Sequence, residues 1–285
     1  MKRALVISGG GQLANYSVGA IKHLLSDLRI GYDIYTGVSA GAIIASFLAQ
    51  YPAGQEDVAA EKLAKLFSNQ GNRDIKKHWL PLFFLHGFWK GGFYNTKPLS
   101  KNLAKYIDPE AVADSGKELI IGGTCLDSGV YEHLPTDPES LIKSVLASAA
   151  FPGAFAPVEI NGKHYIDGGV RNNAPLKDAI DAGATHIDVV MISPESNERA
   201  TPEKNALKVA VRAIDILTDE ILANDVKLAM LYNKLGATRG DKRFVHIRVV
   251  RPSVPLPGSA LDFDKDVAAE LQEIGYKDAV EKLTE

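Results

Sequence analysis

YDIYTGVSAGAIIASFL, residues 32–48, changes its hydrophobic period halfway along. Residues 32–38 read as a β-strand. From Ala40 to about Leu48, small and apolar residues read as a helix. Between them lies Gly37-Val38-Ser39-Ala40-Gly41. A serine on a sharp strand-to-helix turn is pushed out of the sheet, and flanking glycines remove side chains that would clash in the bend. The helix N-terminus behind it offers free N–H groups and a partial positive charge. Ser39 is therefore a candidate nucleophile, with Gly37 and Gly41 shaping its turn. A glycine-lined turn with no chemistry is the plain alternative.

The same alternation extends outward from this stretch. Residues 3–8 form a strand that ends in Gly9-Gly10-Gly11, and Val18, Ile21, Leu25 and Leu28 then recur at helical spacing. A helix is expected over 56–68, a strand over 118–126, and a helix from Asp137 with Pro138 in its first position. Asn161-Gly162 between two short runs signals a hairpin. Residues 186–193 read as a buried parallel strand and 244–250 as the last strand. Leu207, Ala210, Ile214, Leu217 and Ile221 mark a long helix closed by Gly236, and 265–283 is the last helix. Strands alternating with helices predict an α/β fold: one three-layer domain over 1–285, with a mostly parallel central sheet and helices on both faces.

Composition narrows the classes. The chain has 285 residues, 46% hydrophobic and 24% charged, with formal net charge -3. Nothing here suggests a nucleic-acid partner. The single cysteine, Cys125, forms no disulfide framework or cysteine metal site. It is expected to be structural, as a small hydrophobe in a strand. No ligand cluster suggests a metal and no cofactor is expected. No apolar stretch is long enough to span a bilayer. A cytoplasmic protein is expected, able to make transient membrane-surface contact.

Two further motifs bear on chemistry. Consecutive glycines at 9–11 expose N–H groups to a ligand, as an oxyanion hole requires. Gly9, Gly11 and Ala14 also fit the dinucleotide pattern G-x-G-x-x-A, with Asp33 near the distance of a ribose-binding acid. That acid should end the second strand, whereas Asp33 begins it. Asp167-Gly168-Gly169 follows a strand directly. Of the seven histidines, none has a setting suited to a Ser-His-Asp triad. His164, the nearest to Asp167, points to the opposite face of its strand.

Together these residues resemble the patatin-like phospholipases. The resemblance rests on the glycines at 9–11, GVSAG at 37–41, ASAAFPGAFAPV at 147–158, DGG at 167–169 with Asn172, Asn173 and Pro175, and LDF…IGY over 261–276. It implies a Ser39–Asp167 catalytic dyad without histidine, an oxyanion hole from the Gly9, Gly10 and Gly11 amides, and calcium-independent hydrolysis of a lipid acyl ester. Phe151, Phe155, Phe83 and Phe84 are candidate substrate-pocket residues. The segment 79–89, with eight large apolar residues in eleven positions, reads as core, acyl wall or interface. One departure stands out: Leu13 and Ala14 occupy places where the family commonly has a basic residue and glycine. A weakly active or inactive lipid- or partner-binding relative is the alternative, and a nucleotide-binding domain a further one. Oligomeric state is left open.

Overall fold

Five strands run side by side in one direction, and the loops after two of them carry the glycine run and the serine turn. The computed structural model describes residues 1–78, 91–195 and 244–283, with isolated positions between 196 and 243. The parallel strands are β1 (Arg3–Ile7), β2 (Ile34–Gly37), β5 (Glu118–Cys125), β10 (His186–Val190) and β11 (His246–Val250), in the order β11-β10-β1-β2-β5. Beyond β5 the sheet turns antiparallel. β9 (Lys163–Asp167) pairs with β5, β8 (Val158–Ile160) pairs with β9, and β6 (Tyr131–Leu134) also pairs with β5. A small sheet joins β3 (Lys77–His78), β4 (Gly92–Asn95) and β7 (Gly153–Phe155).

Alternation along β1 shows how the layers form. Leu5 and Ile7 belong to a large core with α1 (Asn15–Lys22), α2 (Ala40–Ala49), α3 (Glu56–Ser68), α5 (Lys97–Tyr106) and α7 (Leu141–Ser148). Ala4 and Val6 face a second core with α8 (Leu176–Asp181). A parallel sheet buried on both faces needs apolar residues at odd and even positions alike. The short helices α4 (Asn72–Ile75) and α6 (Pro109–Asp114) complete the middle of the chain, and α9 (Lys265–Leu283) packs on α1. The α/β class with a mostly parallel sheet agrees with expectation.

Several boundaries differ. The helix expected from Asp137 begins at Leu141. Asp137 instead closes a turn, its Oδ1 accepting the Ser140 N–H at 3.1 Å. Residues 92–95 form a short strand, β4. The hairpin is as predicted, with Asn161 and Gly162 at φ 51° and 77°. The helix expected between Leu207 and Gly236 lies outside the described residues, apart from isolated helical positions. The segment 79–89, with Phe83 and Phe84, also lies outside them.

Candidate active site

The first parallel pair brings two loops together. Ile7 aligns with Gly37, so the glycine run after β1 and the serine turn after β2 leave the sheet side by side. The bend at Ser39 is tight: a Cβ on Gly37 would lie 2.4 Å from the Gly41 carbonyl oxygen, and one on Gly41 would lie 2.3 Å from that of Ile7. Ser39 itself sits at φ 55°, ψ -128°. A non-glycine residue there costs roughly 1–3 kcal/mol and needs support from its surroundings.

That support comes from the end of α7. The Ser39 N–H donates to the Ser148 carbonyl at 3.1 Å and to Ser148 Oγ at 3.0 Å. Ser148 is buried, and its hydroxyl in turn donates to the Gly122 carbonyl at 2.6 Å. A serine at a helix N-cap ordinarily spends its hydroxyl on the first-turn N–H groups. Ser39 caps α2 without doing so, and it lines a cavity instead.

Asp167 ends β9 and is 3% exposed. Its backbone is held on both sides: its N–H donates to Ala150 O at 3.0 Å, and its carbonyl accepts from Thr124 Oγ1 at 3.0 Å. One carboxyl oxygen, Oδ1, accepts the Gly169 N–H at 2.8 Å. The other, Oδ2, has no hydrogen-bond partner of standard geometry among the described residues. Burial raises this carboxyl to about 6, opposed by the nearby Ser39 hydroxyl and the Gly169 N–H. Ser39 and Asp167 line the same cavity of about 190 Å³.

The glycine run lies beside Ser39. A Cβ on Gly9 would stand 2.9 Å from the Ser39 Cβ. Gly9 N–H is committed to the Asn173 carbonyl at 3.2 Å. The Gly10 and Gly11 N–H groups have no partner among the described residues. Among the described residues, the loop is anchored without a basic side chain. Gln12 N–H donates to Ala260 O at 2.9 Å, and its buried Nε2 donates to Asp264 O at 2.6 Å. Leu13 is part of the cavity wall.

Phe151 and Phe155 also line the cavity, so of the four phenylalanines expected there, the two that are described are present. Among the described residues no histidine lines it. His23 pairs with Asp27, His133 with Asp178 and His164 with Asp127, while His186 stacks on His246 at the sheet edge. Asp33 lies at the opposite end of the sheet from the glycines, where it accepts the Arg3 N–H at 2.8 Å. The dinucleotide geometry is absent there. No group of three or more metal-ligand side chains occurs among the described residues, and no described helix is long and apolar enough to cross a membrane. Sequence reading quoted Ser148 and Asn173 without a role and passed over Gln12. Their parts are played largely through backbone contacts, which leave no compositional trace.

An α/β sheet with a strained serine at a strand-to-helix turn, facing a buried carboxylate, defines a narrow structural class. The chain belongs to the patatin-like phospholipase family, whose profile matches residues 5–180. It is 25% identical over 198 residues to the uncharacterized protein YjjU of Escherichia coli, the match covering 67% of this chain and 52% of that protein. It is 24% identical over 200 residues to the probable lipid hydrolase 463L of Invertebrate iridescent virus 6, covering 62% and 63% respectively. The chain thus spans only about half to two thirds of these relatives. The fold is similar to that of VipD from Legionella pneumophila, with TM-score 0.50 at 13% identity over 99% of this chain and 66% of that one.

Proposed function

We propose that this protein is a lipid acyl hydrolase that cleaves fatty-acyl esters with Ser39 as nucleophile and Asp167 as base. The observation that carries the reading is the buried Asp167 carboxyl, its Oδ2 without a partner of standard geometry among the described residues, next to a Ser39 hydroxyl that is not spent on its own helix and acts on that carboxyl. In the first step Asp167 takes the hydroxyl proton as Ser39 Oγ attacks the ester carbonyl. The carbonyl oxygen becomes an oxyanion, received by the Gly10 and Gly11 N–H groups. Gly9, whose N–H already has a partner, holds the loop rather than the oxyanion. The C–O bond then breaks, and protonated Asp167 gives its proton to the leaving alcohol. In the second step Asp167 deprotonates water, which attacks the acyl-Ser39 ester. Release of the fatty acid returns the proton to Ser39. Removing one donor of such a hole costs about 10²–10³ in turnover.

The family likeness, the apolar cavity and the probable lipid hydrolase among the relatives support a lipid ester as substrate. Leu13 in the cavity wall favours the second reading, a relative that binds lipid without turnover. A fluorophosphonate probe separates the two. Covalent labelling of the wild type and none of Ser39→Ala is expected. An unlabelled, folded wild type would refute the hydrolase reading.

A further inference from the structure

The cavity beside Ser39 runs along α2, and Phe47 is the last residue of that helix in its wall. Ile43 and Phe47 stand one and two turns along α2 from Ser39, and all three are in its wall. At about 1.5 Å rise per residue, Phe47 is about 12 Å along the helix from the nucleophile. Across from α2, the wall is built by Leu66 of α3 and by Leu103 and Tyr106 of α5. Phe47 is 4% exposed, and its ring packs against that of Tyr51 with centroids 5.6 Å apart. Gln50 locks this end. Its Nε2 donates to Phe47 O at 3.0 Å and to Tyr106 O at 3.1 Å, and its Oε1 accepts the Asp108 N–H at 2.9 Å. The two walls are thus cross-linked next to Phe47, and a guest that spreads them there must break these bonds.

We propose that Phe47, backed by Tyr51 and Gln50, is an acyl-length stop that makes this a medium-chain acyl hydrolase. The inference rests on Ser39 being the acyl-accepting nucleophile. An extended chain advances about 1.2 Å per bond, so a channel of about 12 Å holds about ten bonds. The Phe47 side chain leans toward the helix N-terminus and takes up part of that length. The acyl group that fills the channel therefore has about eight to ten carbons. Below that length each added methylene should raise kcat/KM by about fourfold, and beyond it the gain should reverse.

The test is a series of p-nitrophenyl esters from about four to about sixteen carbons, with fluorophosphonate labelling of Ser39 run on each variant. The wild type should peak near about eight to ten carbons and fall at least about tenfold by sixteen. Phe47→Ala, which opens the stop, should move the peak longer. Ile43→Phe, which blocks the channel one turn earlier, should move it shorter. Phe47→Leu keeps an apolar side chain there, should fold where Phe47→Ala does not, and should shift the peak in the same direction by less. A general packing defect would not move the optimum in opposite directions. A wild type that Ser39 probes do not label sinks the hydrolase reading itself. A labelled wild type that peaks at sixteen carbons, or variants that leave the peak in place, overturns the length stop alone.

Discussion

Asp167 carries opposite demands of activity and stability. Its carboxyl is buried, with Oδ2 lacking a partner of standard geometry among the described residues, and burial raises it to about 6. As a base it acts only when ionised, so kcat/KM should decline on the acid side with a midpoint near pH 6. A midpoint near 4 would mean that Asp167 is not the base. For folding the sign is reversed. A carboxyl raised in the folded state binds its proton more tightly there, so its favourable contribution is complete below the unfolded value of 3.8 and lost as pH rises through about 6. The corresponding cost of the ionised form is about 3 kcal/mol. Asp167→Asn should therefore lose about 10²–10⁴-fold in turnover while its Tm rises at pH 8 and stays level at pH 4. A fall in Tm at pH 8 would point to a structural role instead. By the same mechanism, replacing each histidine singly by Gln should leave turnover within about an order of magnitude. A larger loss in a folded variant would place an imidazole in the proton path.

Among the elements, the turn between β2 and α2 depends on a helix far away in the chain. Among the described residues, the Ser39 N–H is held only by the end of α7, through the Ser148 carbonyl and hydroxyl. Ser148→Ala removes one of those acceptors and takes the Ser148 hydroxyl away from the Gly122 carbonyl. The expected outcome is a fall in kcat of about tenfold or more with KM nearly unchanged, because a misaimed nucleophile still lets ester bind. A rise in KM at constant kcat would assign Ser148 to substrate binding. The elements themselves were largely legible: the strand before Ser39, the helix after it and the Asn161-Gly162 hairpin follow from local period and turn chemistry. The start of α7 was not, because Pro138 suits a turn closed by Asp137 as well as a first helical turn.

Across the whole molecule, the C-terminal residues brace the glycine loop. Ala260 O and Asp264 O accept from Gln12, just ahead of α9, and α9 lies directly on α1. The two helices touch backbone to backbone: a Cβ on Gly19 would lie 1.9 Å from Gln272 O, and one on Gly275 would lie 1.9 Å from Tyr16 O. Gly275→Ala should cost about 1–3 kcal/mol or more by overpacking. It should also slow Ser39 labelling, since the loop loses part of its anchor. Differential scanning fluorimetry and the labelling rate test both parts. An unchanged Tm would show that α9 can shift freely on α1, and the brace would then have no energetic content.

The sequence by itself determined what nearest neighbours control: the strands and helices of the α/β alternation and the glycines at the Ser39 bend. These follow from backbone sterics and hydrophobic period, which act within a few residues. Only the tertiary structure decided that Gly9 spends its N–H on Asn173, that Gln12 and residues 260–264 take over the anchoring of a loop with Leu13 in it, and that Ser148 holds the strained turn. The burial that raises Asp167, and the Gln50 bond that ties α2 to α5, belong to the same group. Each joins residues distant in the chain through hydrogen bonds or excluded water. Such contacts exist only once the layers are packed.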